Sequence, residues 1–260
     1  MKTALWFGIL ALVAWGPPAA AGESEADIPP TSIAVPDVAR QDFLFGAPRG
    51  AFAFRGGWSA ASAGGEVFDF IRDQLTIEQR DFDAPVWMGE ASWLIRPQWA
   101  ALFRVDYSRS SVASEFRNFI GEDDLPINQE TRLTKVGVTL GAKFYLKTRG
   151  REIGRFAWVP ESFVPYVGVG GGMLWYEFLQ SGEFVDFTDL AIFEERFVGE
   201  GGTPTFHGFV GADIKLNHRI FLTLELGYNW ADAKLRPNFE GFEPLDLAGF
   251  QSSVGVDILF

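Results

Sequence analysis

The sequence predicts an all-β fold, an antiparallel up-and-down barrel of about eight strands. Three observations predict it. From Ala51 to Phe260 the dominant hydrophobic period is two, the mark of strands whose two faces meet different surroundings. Short and long connections alternate between the periodic segments, as in a meander that closes on itself. One face carries large aromatic side chains in such number that an eight-stranded lumen, just wide enough to be filled by side chains, could not hold them.

The strands are expected near 51–60, 84–96, 98–109, 132–146, 163–177, 204–216, 219–231 and 247–260. The last is the clearest: Phe250, Ser252, Val254, Val256, Ile258 and Phe260 alternate with Gln251, Ser253, Gly255, Asp257 and Leu259. Before it, Ile220, Leu222, Leu224, Leu226, Tyr228 and Trp230 alternate with Phe221, Thr223, Glu225, Gly227 and Asn229. In the preceding segment Phe206, Val210, Ala212, Ile214 and Leu216 oppose His207, Phe209, Gly211, Asp213 and Lys215.

Arg96-Pro97-Gln98 and Asn217-His218-Arg219 read as tight turns, and Lys147 to Ser162 as a longer connection on the same side. The long loops 61–83, 110–131, 178–203 and 232–246 all fall on the other side. Short turns at one end and long loops at the other are the pattern of bacterial outer-membrane barrels, with the long loops outside the cell. The apolar face, with Phe52, Phe54, Trp93, Phe103 and Leu224 among its members, is therefore read as lipid-facing. Aromatic residues sort by height into two expected interface girdles. Trp58, Trp87, Tyr107, Trp175, Tyr228 and Trp230 fall at the long-loop end, Trp99 and Phe260 at the short-turn end.

The N-terminus reads as a secretory signal peptide over 1–21: a basic start at Lys2, an apolar run from Ala4 to Trp15, then Gly16-Pro17-Pro18 and the small residues Ala19-Ala20-Ala21. Residues 22–49, polar and with four prolines, read as a flexible periplasmic lead-in, and 50–260 as the barrel. The net charge is −12, which makes nucleic acid a poor partner. The absence of cysteine excludes disulfides and thiolate metal sites.

The ending Val254-Gly255-Val256-Asp257-Ile258-Leu259-Phe260 resembles the C-terminal strand of outer-membrane barrels. Over residues 50–260 the chain is similar to small OmpA-, OmpX- and OmpW-like barrels and to the outer-membrane β-barrel domain group. The resemblance implies location in the outer membrane and contact with its lipid and lipopolysaccharide. It also implies recognition by the barrel-assembly machinery through Val256, Ile258 and Phe260. It supplies no catalytic residues. The long lead-in and the long 147–162 connection depart from the pattern.

The face opposite the aromatics carries Arg55, Glu90, Arg104, Asp106, Lys135, Lys143, Asp213, Lys215, Glu225 and Asp257. Charges of mixed sign in a narrow interior must be paired, so these are expected to form a lumen charge network that holds the barrel shut. The alternative is a charged constriction in a selective pore. His207 is the one histidine placed in a strand, with Ser108, Ser110, Ser111, Asp186, Asp189 and Glu200 as conceivable triad partners. Nothing in the sequence brings them together, and no catalytic, cofactor-binding or metal-ligating residue is assigned.

The outer loops are acidic and aromatic. Phe68, Phe70 and Ile71 mark the first, Glu122-Asp123-Asp124 the second, and Leu190, Phe193 and Phe197 in the third have a helical spacing that predicts a short amphipathic helix over 186–197. Such loops are expected to pack together as a cap, or to offer loops 61–83 and 178–203 to a hydrophobic ligand or surface partner. The expected function is non-enzymatic: a structural and surface-interaction protein. The alternatives are transport of small or hydrophobic solutes and lipid modification.

Overall fold

The computed structural model describes residues 43–120, 125–186, 191–234 and 244–260. The expected signal peptide and the lead-in up to residue 42 lie outside these residues. Eight strands form the wall: β1 (Gly50–Ala61), β2 (Ala84–Arg96), β3 (Trp99–Ile120), β4 (Pro126–Tyr145), β5 (Phe163–Val185), β6 (Ile192–Lys215), β7 (Ile220–Trp230) and β8 (Gly249–Leu259). Each pairs antiparallel with its neighbour in sequence, and β8 pairs with β1 from Gly249↔Ala61 to Leu259↔Ala51. Closure leaves the wall no unpaired edge, which a hydrocarbon environment demands because it offers no water to unpaired backbone groups.

The period-two pattern places the apolar face outward. Phe52, Phe54, Trp58, Trp87, Trp93, Phe103, Val254 and Ile258 are exposed, while Arg55, Glu90, Arg104 and Asp257 are buried inside. A polar interior wrapped in an exposed aromatic and aliphatic belt suits lipid and would make a soluble protein aggregate. The belt is edged by ring pairs. Tyr228 and Trp230 lie 4.9 Å apart near the long-loop end, and Phe52–Phe260 and Trp99–Phe144 lie 4.8 Å apart near the short-turn end.

Four strands run further than the hydrophobic alternation suggests. β3 continues past 109 to Ile120, β4 begins at Pro126, β5 continues past 177 to Val185, and β6 begins at Ile192. Much of 110–131 and 178–203 is therefore hairpin rather than loop. The ladders continue from Tyr107↔Val136 to Glu115↔Asn128 and from Trp175↔Gly202 to Val185↔Ile192. Above the aromatic girdle apolar residues fall beside one another, as at Phe178-Leu179 and Ile192-Phe193, so the strict alternation stops, but main-chain hydrogen bonding does not require it.

The helix expected over 186–197 is corrected for the same reason: Ile192–Phe197 is strand, and Leu190 lies outside the described residues. Phe193 and Phe197 are four apart, a spacing that suits one face of a strand as well as of a helix. Both rings pack on Phe184 across the ladder, at 6.0 and 4.7 Å.

The described helix is instead in 62–83. α1 (Glu66–Gln74) follows Gly65, whose φ of +101° is a conformation open to glycine. Glu66 and Asp69 occupy its first turn and Arg72 its last, complementing the helix dipole. Asp69 and Arg72 also form an ion pair.

On the opposite side, the 147–162 connection is a hairpin of Gly150–Ile153 with Ala157–Pro160. Leu44–Phe45, just ahead of β1, adds a third strand through Leu44↔Trp158. The Asn217 turn is fixed locally: its Oδ1 accepts from the Arg219 and Ile220 amides at 2.8 and 2.9 Å.

Candidate functional site

The lumen is filled from end to end in three layers. At mid-height an ionic cluster joins five strands. Glu90 of β2 accepts from Arg55 at 2.6 Å, Arg104 at 2.7 Å and Lys143 at 2.7 Å. Glu225 of β7 faces Arg104 at 2.8 Å and Arg55 at 3.4 Å and accepts from the Tyr166 hydroxyl at 3.0 Å.

Below them, Arg149 reaches up from the 147–162 connection to Asp213 at 3.1 Å and Asp257 at 2.5 Å. The Thr223 hydroxyl donates to Asp213 at 2.5 Å. Four cations thus meet four carboxylates, and the cluster is neutral. Aromatic faces complete the cations' surroundings: Arg104 lies 4.6 Å from the Phe209 ring centroid, Lys143 4.3 Å from Tyr166 and Arg149 5.1 Å from Tyr145.

Seven of the ten sequence-derived lumen charges stand in this cluster: Arg55, Glu90, Arg104, Lys143, Asp213, Glu225 and Asp257. Asp106 and Lys135 sit one level higher, where Lys135 is buried in the combined field of Asp106, Asp83 and Asp246. A Cβ on Gly137 would lie 2.5 Å from Asp106 Oδ1, so this glycine makes room for the carboxylate. Lys215 is half-buried at the short-turn end.

Sequence reasoning missed Arg149, Tyr145 and Tyr166. Tyr166 shares the inward parity of Gly168 and was open to discovery. Arg149 lies in a connection, where no periodicity points anywhere.

The glycine run in β5 is also part of the filling. A Cβ at Gly168 would come within 2.1 Å of the Phe209 ring, and one at Gly170 within 2.4 Å of His207. Gly168→Ala is therefore expected to destabilise the barrel by about 1–3 kcal/mol through overpacking, read as a lowered temperature for loss of the folded gel band. An unchanged temperature would mean that Phe209 can swing clear.

The long-loop end is closed by a hydrophobic cap. Val67, Phe68 and Ile71 of α1, with Leu75, Ile77 and Phe82 after it, pack against Leu133, Leu174, Tyr176 and Phe178 of the inner wall and against Ala233, Leu245 and Leu247. Phe68 is fully buried, with ring centroids 4.6 Å from Phe82 and 6.1 Å from Phe178. Phe70 points away and is exposed. The short-turn end is closed by Trp158 and Leu44, which pack on Ala51, Phe221 and Leu259.

His207 is buried and stacked on Phe209 at 5.2 Å, and its Nε2 has no hydrogen-bond partner. Ser111 instead donates to Glu130 at 2.6 Å. Among the described residues Ser108, Ser110, Asp186 and Glu200 make no hydrogen bond to His207, and Asp189 lies outside those residues. No group of three or more acidic or histidine side chains among the described residues is placed to hold a metal ion.

Of the girdle residues, Trp58, Trp87, Tyr107, Trp175, Trp230, Trp99 and Phe260 are exposed on the outer face. Tyr228 is half-buried and shares a hydrogen bond with Ser62 at 3.1 Å. Val256 and Ile258 are exposed beside Phe260 on the last strand.

Above the membrane the hairpins are acidic. Between 177 and 200 seven acidic residues stand against one base, Arg196. Glu177 lies directly opposite Glu200, and Glu183 opposite Glu194. Such like-charged cross-strand pairs oppose the ladder, and the Phe184, Phe193 and Phe197 cluster on the other face offsets them. Glu130 is held below the usual carboxylate range by the Ser111 hydroxyl and by Arg132.

No family model matches the sequence, and no curated protein matches it. Among solved structures the chain is similar to the outer membrane protein OprG from Pseudomonas aeruginosa, at 14% identity and a TM-score of 0.47, covering 84% of this chain and 99% of that one. It is similar to Neisserial surface protein A at 12% and 0.43, covering 81% and 96%. It is also similar to the outer membrane protease OmpT from Escherichia coli at 10% and 0.36, covering 84% and 98%. Likenesses this distant transfer no residue role. The wall's own geometry, with its closed ladder, lipid-facing belt and polar lumen, makes this chain an eight-stranded antiparallel transmembrane β-barrel.

Proposed function

We propose that this protein is a non-conducting, non-enzymatic surface protein, which anchors acidic, aromatic hairpins outside the cell. The observation that carries the reading is the filled lumen: a hydrophobic cap above, a neutral ionic cluster in the middle and Trp158 with Leu44 below. A solute would have to displace all three layers, and separating buried ion pairs is costly. What remains available is the outside. The β3–β4 and β5–β6 hairpins expose Ile120, Leu125, Ile192 and Phe193 among carboxylates, a chemistry suited to a partner that is both cationic and apolar.

The test combines conductance with loop truncation. Purified protein in planar bilayers is expected to give no discrete current steps. Cells in which both hairpins are shortened to Glu115/Asn128 and Gln180/Phe197 are expected to keep the folded barrel and to lose adhesion to cationic, apolar surfaces. Reproducible current steps would favour the transport reading. Undiminished adhesion would remove the surface role. Lipid profiles or peptide cleavage that changed with His207→Ala would restore an enzymatic one.

A further inference from the structure

The two ends of the barrel are oppositely charged, and the short-turn end holds a cavity. Six exposed bases, Arg49, Arg96, Lys147, Arg151, Arg155 and Arg219, surround that end. None of them makes an ion pair among the described residues. Glu152 and Glu161 are the acidic residues in the segments that form this rim. This contrasts with the acidic hairpins at the other end.

The cavity, of about 440 Å³, lies where the chain enters the barrel, between Pro48, the β2 end at Ile95 and Arg96, Pro97, and the hairpin residues Glu152 and Trp158. Its volume is in the range of small-ligand sites, roughly 300–1,000 Å³. It also borders the membrane. Arg49 is three residues before Phe52 and Arg96 three after Trp93, and these two rings meet Phe260 at 4.8 and 5.8 Å in the lower girdle.

We infer that this rim is a binding site for the headgroup of an anionic phospholipid in the periplasmic leaflet. Arg49 and Arg96 would face the phosphodiester beside the Pro48–Pro97 cavity, while the acyl chains lie along Phe52, Trp93 and Phe260. The inference goes beyond the surface role proposed above and does not depend on it. Three features argue for this occupant: the complementary charge of the rim, a cavity at headgroup depth and an apolar track rising from it. Each base near a membrane surface contributes about 1 kcal/mol of attraction to anionic lipid, roughly a fivefold preference.

Native mass spectrometry of the full barrel tests this, in mixed micelles holding equal amounts of phosphatidylglycerol and phosphatidylcholine. The wild type is expected to retain phosphatidylglycerol over phosphatidylcholine by more than roughly tenfold, at about fivefold for each of the two bases. The exposed double variant Arg49→Gln/Arg96→Gln is expected to lower that preference by roughly tenfold or more, with the heat-dependent gel shift intact. Arg109→Gln, on the outer hairpin, is expected to leave it unchanged. Equal retention of the two lipids by the wild type overturns the inference, and so does an undiminished preference in the double variant. Retention on purified cell-wall sacculi without any lipid preference would assign the rim to a polymer instead.

Discussion

Glu90→Ala is expected to lower the stability of the folded barrel by about 3–5 kcal/mol, the cost of removing one partner from a buried ionic group. Glu90 is the point where Arg55, Arg104 and Lys143 converge. Without it, Arg55 and Arg104 still have Glu225, but Lys143 has no other ion-pair partner among the described residues and is fully buried. The loss should appear as a fall in the urea concentration at which the heat-modifiable gel band is lost. Adding Lys143→Met to Glu90→Ala is expected to recover part of the loss, because it takes away the stranded charge. A single-variant effect under about 0.5 kcal/mol, typical of exposed sites, would mean that the cluster is hydrated rather than dry. A double variant worse than the single would show that Lys143 has found another partner.

Phe68→Ala is expected to cost about 3–5 kcal/mol, as for other large-to-small core substitutions, but in a different place. Phe68 packs on Phe82, Phe178 and the rest of the cap, and the wall strands close through their own ladders without it. The loss should therefore show as local opening. Amide exchange in α1 is expected to speed up by roughly a hundredfold or more, since each 1.4 kcal/mol is a factor of ten. Exchange in β7 and β8 should hardly change. Accelerated exchange across all eight strands would show that the cap and wall unfold as one unit. Unchanged exchange in α1 would mean that its packing does not hold it.

The wall was legible in the sequence because its cause is local. In a strand, each residue's face is set by its parity alone, so Phe52, Phe54 and Trp58 declare one environment and Arg55 another. The same parity identified Glu90, Arg104, Lys143, Asp213, Glu225 and Asp257 as interior residues before any contact was known. It failed where the apolar contrast faded. The outer halves of β3 to β6 keep their ladders where polar and apolar residues no longer alternate, as at Phe178-Leu179 and Ile192-Phe193, and Phe193 and Phe197 satisfy both periods.

What the sequence alone determined, then, is the membrane-facing wall: its strand number, its faces and its girdles. Only the tertiary structure decided how the lumen is closed. Arg149 and Trp158 come from the 147–162 connection, Phe68 from α1 and Phe82 from the segment after it. The wall's alternation does not extend to these segments, and their partners Asp213, Asp257, Phe221 and Phe178 lie between 63 and 110 residues away in the chain. Parity tells a residue which side of the sheet it faces, but only closure of the sheet into a barrel brings the opposite walls, the cap and the plug within reach of one another.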